Sequence, residues 1–102
     1  MTGEEKRITD YILSLEPDLD PVLEQIEREA RENFVPIIRR ETGALLKTLV
    51  AGVRPRRILE IGTAVGYSAL LMASVMDAEC EITTIEKYEK RIPEARKNFA
   101  RA

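Results

Sequence analysis

The 102 residues carry 18 acids against 16 bases, a net charge of −2, with 44% apolar and 33% charged residues. These totals fit one small globular unit with a modest core; a disordered or strongly basic chain is excluded, and charge alone offers nothing to a nucleic acid. One cysteine and no histidine exclude a disulfide staple and the common zinc spacings within these residues.

The first half reads as helical. Ile8, Tyr11, Ile12 and Leu15 recur at helical spacing from about Glu4 to Leu15, and Pro17 stops the segment. In "DLDPVLEQIEREARENF", Asp20 is a good N-cap and Pro21 suits the first helical position, while Val22, Leu23, Ile26 and Ala30 form the apolar side. "NFVPII" interrupts the pattern, because Pro36 disfavours helix at Val35. A third helix is expected from about Thr42 to Val53, ended by "GVRPRR". Tyr11, Phe34, Tyr88 and Phe99 are expected to pack.

From Arg57 the period changes. "RILEI" (Arg57–Ile61) suits a short strand buried on both faces, and "GYSALLMASVM" an apolar helix from near Tyr67. "EITTIE" (Glu81–Glu86) reads as a second strand, and "EKRIPEARKNFARA" as an amphipathic helix from near Glu89–Ile92, with Pro93 in its first turn. Strand, helix, strand, helix implies parallel pairing in an α/β fold. The expected organisation is an N-terminal helical segment, 1–55, followed by the β-α-β-α of an incomplete parallel sheet, 56–102.

The chemistry concentrates in "ILEIGTAVGYSAL". Gly62 and Gly66 sit beyond the carboxyl end of the first strand, where ligands bind in open α/β sheets. Glycine there permits positive φ and close approach to the backbone. The helix that follows presents unpaired N–H groups, with the Ser68 hydroxyl nearby. Glu86, 20 residues after Gly66, ends the second strand, where a carboxylate can accept both hydroxyls of a ribose. Bend plus acidic strand end describes a site for an adenosine-containing cofactor. G-T-A-V-G lacks the close glycine pair that meets a pyrophosphate, and Glu60 would repel a diphosphate but attract a cation. S-adenosylmethionine, with a sulfonium, an ammonium and no phosphate, is therefore favoured over NAD.

"RILEIGTAVGYSALLMA" with "ITTIEKYEKRIPEARKNFA" resembles the first cofactor motif and acidic second strand of class I S-adenosylmethionine-dependent methyltransferases. The resemblance is nearest to the metal-dependent O-methyltransferases that include catechol and caffeoyl-CoA enzymes and their bacterial members. "VPIIRRETGALLKTL" resembles the segment that precedes the motif, so the likeness runs from about Phe34 to Ala102, with the more variable N-terminal helices included. It implies a Rossmann-like fold, of which these residues form the N-terminal portion. It also implies that Glu86 holds the ribose, Gly62 lies against the cofactor, and Ser68 meets the methionine carboxylate. Glu60 would close the bend on the cationic side, and the Ile38 backbone would touch the methionine end; Ala64 and Tyr67 would line the wall.

The resembled enzymes hold a divalent metal, magnesium, through side chains at later strand ends. The resemblance therefore implies that these 102 residues carry no catalytic or metal-ligating residue and are inactive by themselves. The methyl acceptor of the whole enzyme would be a small-molecule hydroxyl or a hydroxylated tRNA base. Raw strand edges, and apolar faces such as Leu70, Leu71 and Ile92, lead to an expectation of homo-oligomers. The lone thiol and the absence of a signal-peptide pattern or membrane-length run point to a cytoplasmic location without a membrane partner. A non-catalytic self-associating scaffold and an NAD-binding Rossmann protein stand as alternatives.

Overall fold

The computed structural model describes residues 2–102. Helix α1 (Gly3–Ser14) starts on a capping box: Glu5 N–H donates to Thr2 Oγ1 at 3.1 Å, and Thr2 N–H donates to Glu5 Oε2 at 2.7 Å. It buries no residue, and Tyr11 stays 66% exposed. Helix α2 (Pro21–Glu32) begins as expected, with Val22 N–H donating to Asp20 Oδ1 at 2.9 Å. Leu23, Ile26 and Ala30 face inward, and so does a charged residue, Glu27. The Val35 N–H returns to the Ala30 carbonyl at 2.8 Å, while Phe34 takes φ +56° and points into solvent, 91% exposed. Phe34, Tyr11 and the half-exposed Tyr88 thus fail the expectation of packing; Phe99 fulfils it.

Helix α3 (Arg40–Val53) starts two residues earlier than expected and ends with Arg54 in the left-handed region, φ +52°, just before Pro55. Strands β1 (Arg57–Ile61) and β2 (Glu81–Ile85) pair in parallel, with Arg57 opposite Glu81 and Ile61 opposite Ile85. Helix α4 (Tyr67–Ala73) joins them, shorter than its apolar run. Ser74 stops it, its hydroxyl donating to the Leu71 carbonyl at 2.6 Å. A 3₁₀ turn (Glu89–Arg91) leads into α5 (Ile92–Arg101), whose inward residues are Ala95 and Asn98. The β-α-β-α order and the incomplete parallel sheet are therefore as expected.

Burial departs from expectation in two places. β1 is not covered on both faces: Ile58 and Glu60 are half-buried, while Leu59 and Ile61 are exposed, and β2 alternates in the same way. The described helices cover only one side of two strands. Leu71, expected at an open face, is 2% exposed, and Leu70 and Ile92 are half-buried. Beyond α1 with its C-cap, Phe34 and Tyr88, the uncovered large apolar side chains among the described residues are instead Leu59, Ile61 and Ile85 on the sheet and Leu45, Leu49 and Val53 on α3.

The core lies between helices. Leu23, Ile26, Ala30 and Val35 meet Val65, Tyr67 and Leu71 in one cluster, so residues on both sides of position 55 share it. At the far edge Arg101 reaches Glu29 at 2.6 Å, tying α5 to α2. Ile26 is 1% exposed in this cluster, and truncating a core side chain removes both its transfer energy and its packing. Ile26→Ala should cost about 2–5 kcal/mol in urea unfolding; a loss below about 0.5 kcal/mol would place the core elsewhere.

Candidate functional site

Gly62 opens the bend at φ +94°, its N–H donating to the Ile85 carbonyl at 2.8 Å, so the turn leaves β1 by folding over the end of β2. Ala64 follows at φ +48° and Gly66 at φ +87°. The two glycines have different reasons. A Cβ on Gly66 would lie 2.7 Å from the Phe99 ring, so this glycine admits α5 against the bend. A Cβ on Gly62 would meet nothing within 4 Å; it faces open space, where a ligand can approach the backbone.

Glu86 is half-buried beside that bend. Its Oε1 accepts the Ala64 N–H at 2.7 Å and its Oε2 accepts the Tyr88 N–H at 2.8 Å. These bonds, Tyr88 first and Ala64 second, hold its carboxyl below the usual range. A carboxylate offers about four lone-pair positions, so two remain for another donor pair. On the other side of the bend Asn98 Nδ2 donates to the Val65 carbonyl at 2.7 Å, from a fully enclosed position on α5.

Beneath the bend runs a chain of hydroxyls. Thr84 Oγ1 donates to Glu60 Oε1 at 2.7 Å, and the Ser68 hydroxyl donates to Glu60 Oε2 in a very short contact. Since the single Thr84 proton goes to Glu60, the 2.6 Å contact between Thr63 and Thr84 has Thr63 as donor. Glu60 thus fastens β1 to β2 and to α4. The Ser68 proton is used internally, so toward the cleft Ser68 presents a lone pair and its backbone N–H. The first backbone bond of α4 runs from Leu70 to Gly66 at 3.0 Å, which leaves the Tyr67, Ser68 and Ala69 N–H groups ahead of the helical ladder.

A cleft of about 230 Å3 opens here, walled by Pro36, Ile37 and Ile38 on one side and by Gly62, Thr63, Ala64, Tyr67 and Ser68 on the other. Ile38, Gly62 and Ser68 therefore meet in one place, together with Ala64 and Tyr67. Glu86 stands at the bend through Ala64, and Glu60 lies behind the wall. The cleft is smaller than the roughly 300–1,000 Å3 that encloses a whole small ligand, so it has room for only part of one. Thr63, Thr84 and Asn98 escaped the reading of the sequence, which expected Phe99 to pack but not where. The polar residues at inward positions of β2 were the available signal, since parallel register sets Thr84 opposite Glu60.

With this geometry in view, residues 13–102 match the family model of the O-methyltransferases. The chain belongs to that family. Over 98% of its length it is 33% identical to a probable O-methyltransferase of Mycobacterium tuberculosis, of which it covers 44%. It superposes on TomG, an O-methyltransferase of Streptomyces achromogenes involved in tomaymycin synthesis and solved in complex with S-adenosylmethionine. That likeness has a TM-score of 0.81 and 30% identity, covering 99% of this chain and 47% of TomG. A candidate caffeoyl-CoA O-methyltransferase of Staphylococcus aureus gives a TM-score of 0.77 at 35% identity, over 96% of this chain and 44% of that one. The chain thus spans a little under half the length of these relatives, and its helices and β-α-β-α belong to the Rossmann-like methyltransferase fold. The family match takes in the end of α1 and all of α2, in keeping with a likeness that includes the N-terminal helices.

Two outcomes follow from the geometry of the bend. Gly66→Ala meets both a positive φ and the Phe99 ring, whereas Gly62→Ala meets only the positive φ. In thermal melts Gly66→Ala should be the more destabilising; equal effects would contradict the packing role. Because the Glu86 carboxyl is depressed in the fold, its stabilising contribution is full above the ordinary carboxylate pKa and disappears as pH falls through its lowered value. Urea unfolding from pH 7 downward should show a shallower acid loss in Glu86→Gln than in the wild type; superimposable profiles would refute the assignment.

Proposed function

We propose that these residues form the cofactor half of an S-adenosylmethionine-dependent O-methyltransferase that methylates a hydroxyl group. The observation that carries this reading is the open Gly62 bend with the Glu86 carboxylate fastened beside it at Ala64. The chemistry of the donors fits the cofactor. Glu86 keeps lone pairs for the two ribose hydroxyls, and Gly62 lets the nucleoside lie against the backbone. The Ser68 N–H and the Ile38 backbone border the space for the methionine end. TomG, solved with S-adenosylmethionine, supports the choice over NAD.

When bound, the cofactor supplies an electrophilic methyl group on its sulfonium. The residues here hold and orient it, because transfer needs the acceptor oxygen in line with the sulfur–methyl bond. In the whole enzyme a divalent metal, magnesium, would act as a Lewis acid that lowers the pKa of the acceptor hydroxyl. Among the described residues no three acidic or thiol side chains converge on a point, and none of them is proposed as a metal ligand. In this reading the 102 residues alone bind the cofactor without turning it over. The acceptor is a small-molecule hydroxyl in this reading; the hydroxyl of a modified tRNA base is the second choice, as the acidic first half offers no surface for RNA.

Among the described residues no helix is long and apolar enough to cross a membrane. The cytoplasm is the proposed site of action. The open edges of β1 and β2, with Leu59, Ile61 and Ile85 uncovered, further favour homo-oligomers.

Calorimetric titration with S-adenosylhomocysteine tests the cofactor reading. Saturable binding is expected, weakened about tenfold or more by Glu86→Ala, with no heat from NAD. A folded chain that binds neither nucleoside would favour the scaffold alternative. Sedimentation should show species larger than the monomer at tens of micromolar (roughly where weak edge pairing saturates), and a clean monomer would remove the oligomer proposal.

A further inference from the structure

Among the described residues Tyr67 is the one shared by two neighbouring clefts. It walls the cofactor cleft beside Gly62 and Ser68, and it also lines a larger cleft of about 460 Å3 between the α1–α2 connection and α3. Its ring is 2% exposed, and its hydroxyl donates to Glu27 Oε2 at 3.1 Å. Glu27 is itself 7% exposed and accepts Arg40 Nε at 3.1 Å on both oxygens, Arg40 Nη2 at 3.0 Å, and a looser approach from Arg31 at 3.8 Å. Burial first, and Glu27 second, push the Tyr67 phenol up to about 12, so it remains a donor at any physiological pH.

An enclosed carboxylate with two guanidinium partners needs no tyrosine to neutralise it. What the phenol bond adds is position. Tyr67 is the first residue of α4 and sits between Gly66 and Ser68, so fixing its ring from α2 fixes the start of the helix whose N–H groups border the cofactor cleft. Asn98 and Phe99 hold the same bend from α5. The bend is thus gripped from both flanks, and α2 with α3 supplies one grip through a side-chain pair rather than through apolar packing alone.

We infer that Glu27, held by Arg40, is a positioning residue for the cofactor cleft: it acts through the Tyr67 hydroxyl to set the wall against which the methionine end of the cofactor rests. The inference builds on the cofactor reading given above and extends it to residues outside the glycine motif. It makes the N-terminal helices part of the cofactor site without any of their charged groups touching the ligand.

The test is a double-mutant cycle on affinity. S-adenosylhomocysteine is titrated calorimetrically into the wild type, Tyr67→Phe, Glu27→Met and the double variant, each checked for helical content by circular dichroism well below its melting point. Tyr67→Phe removes only an oxygen and leaves Glu27 paired with Arg40, so it keeps the fold. It should weaken binding roughly threefold to tenfold, the worth of one buried hydrogen bond. In the Glu27→Met background the same change should alter affinity less than about twofold, because the partner is already gone. A purely structural role would lower melting temperatures and leave the affinity of the folded proteins equal, and that result overturns the inference. If the wild type, though folded, binds no cofactor, the reading of the site fails first, and the equal silence of all four proteins distinguishes that failure from the other.

Discussion

A carboxylate gripping the backbone of its neighbouring turn is the interaction on which the site depends. Glu86 takes the Ala64 N–H at 2.7 Å, and the Gly62 and Thr63 N–H groups both close on the Ile85 carbonyl one residue earlier. Three consecutive amides of the bend are therefore tied to the end of β2. Without those ties the bend would be a loop with several positive-φ residues and no reason to keep one shape. With them, the open side of Gly62 faces a defined space, beside the carboxylate that holds Ala64.

The support under the bend is polar and continuous. Thr63 donates to Thr84, Thr84 to Glu60, and Ser68 to Glu60, so two strands and one helix share a single carboxylate as their common acceptor. Such a network is worth having only when each member is satisfied, because an unpaired oxygen in this half-buried position would carry its full desolvation cost. Its consequence for chemistry is restraint. Glu60 and the Ser68 hydroxyl are occupied in holding the turn, and the surface left to a ligand consists of backbone N–H groups, the Gly62 face and the hydrophobic wall from Pro36 to Ile38.

The core explains why the N-terminal helices accompany the glycine bend. Leu23, Ile26, Ala30 and Val35 pack directly on Val65, Tyr67 and Leu71, so the bend is built on α2 as much as on the sheet. The open face of the sheet marks the opposite situation. Leu59, Ile61 and Ile85 lie uncovered where the described helices do not reach, in a chain that spans a little under half of its relatives.

Much of this was legible in the residues. Asp20–Pro21 marked the start of α2, "RILEI" and "EITTI" marked both strands to within a residue, and the glycine spacing with Glu86 identified the bend and its acidic partner. Those signals are local: caps, periodicity and φ requirements act over a few positions. Burial was less legible, because β1 reads as doubly covered by composition, whereas coverage depends on how many helices arrive. The distinct duties of Gly62 and Gly66 were equally hidden, since only the approach of Phe99 from α5 separates them. By itself the sequence determined the elements, their order and a turn that must admit positive φ. Tertiary structure alone decided that Glu27 would be enclosed, that Arg40 and Tyr67 would converge on it, and that Glu60 would serve the strands before any ligand. Partners 13 and 40 residues apart leave no mark in a local pattern, because the folded chain is what brings their charges and hydroxyls within hydrogen-bonding distance.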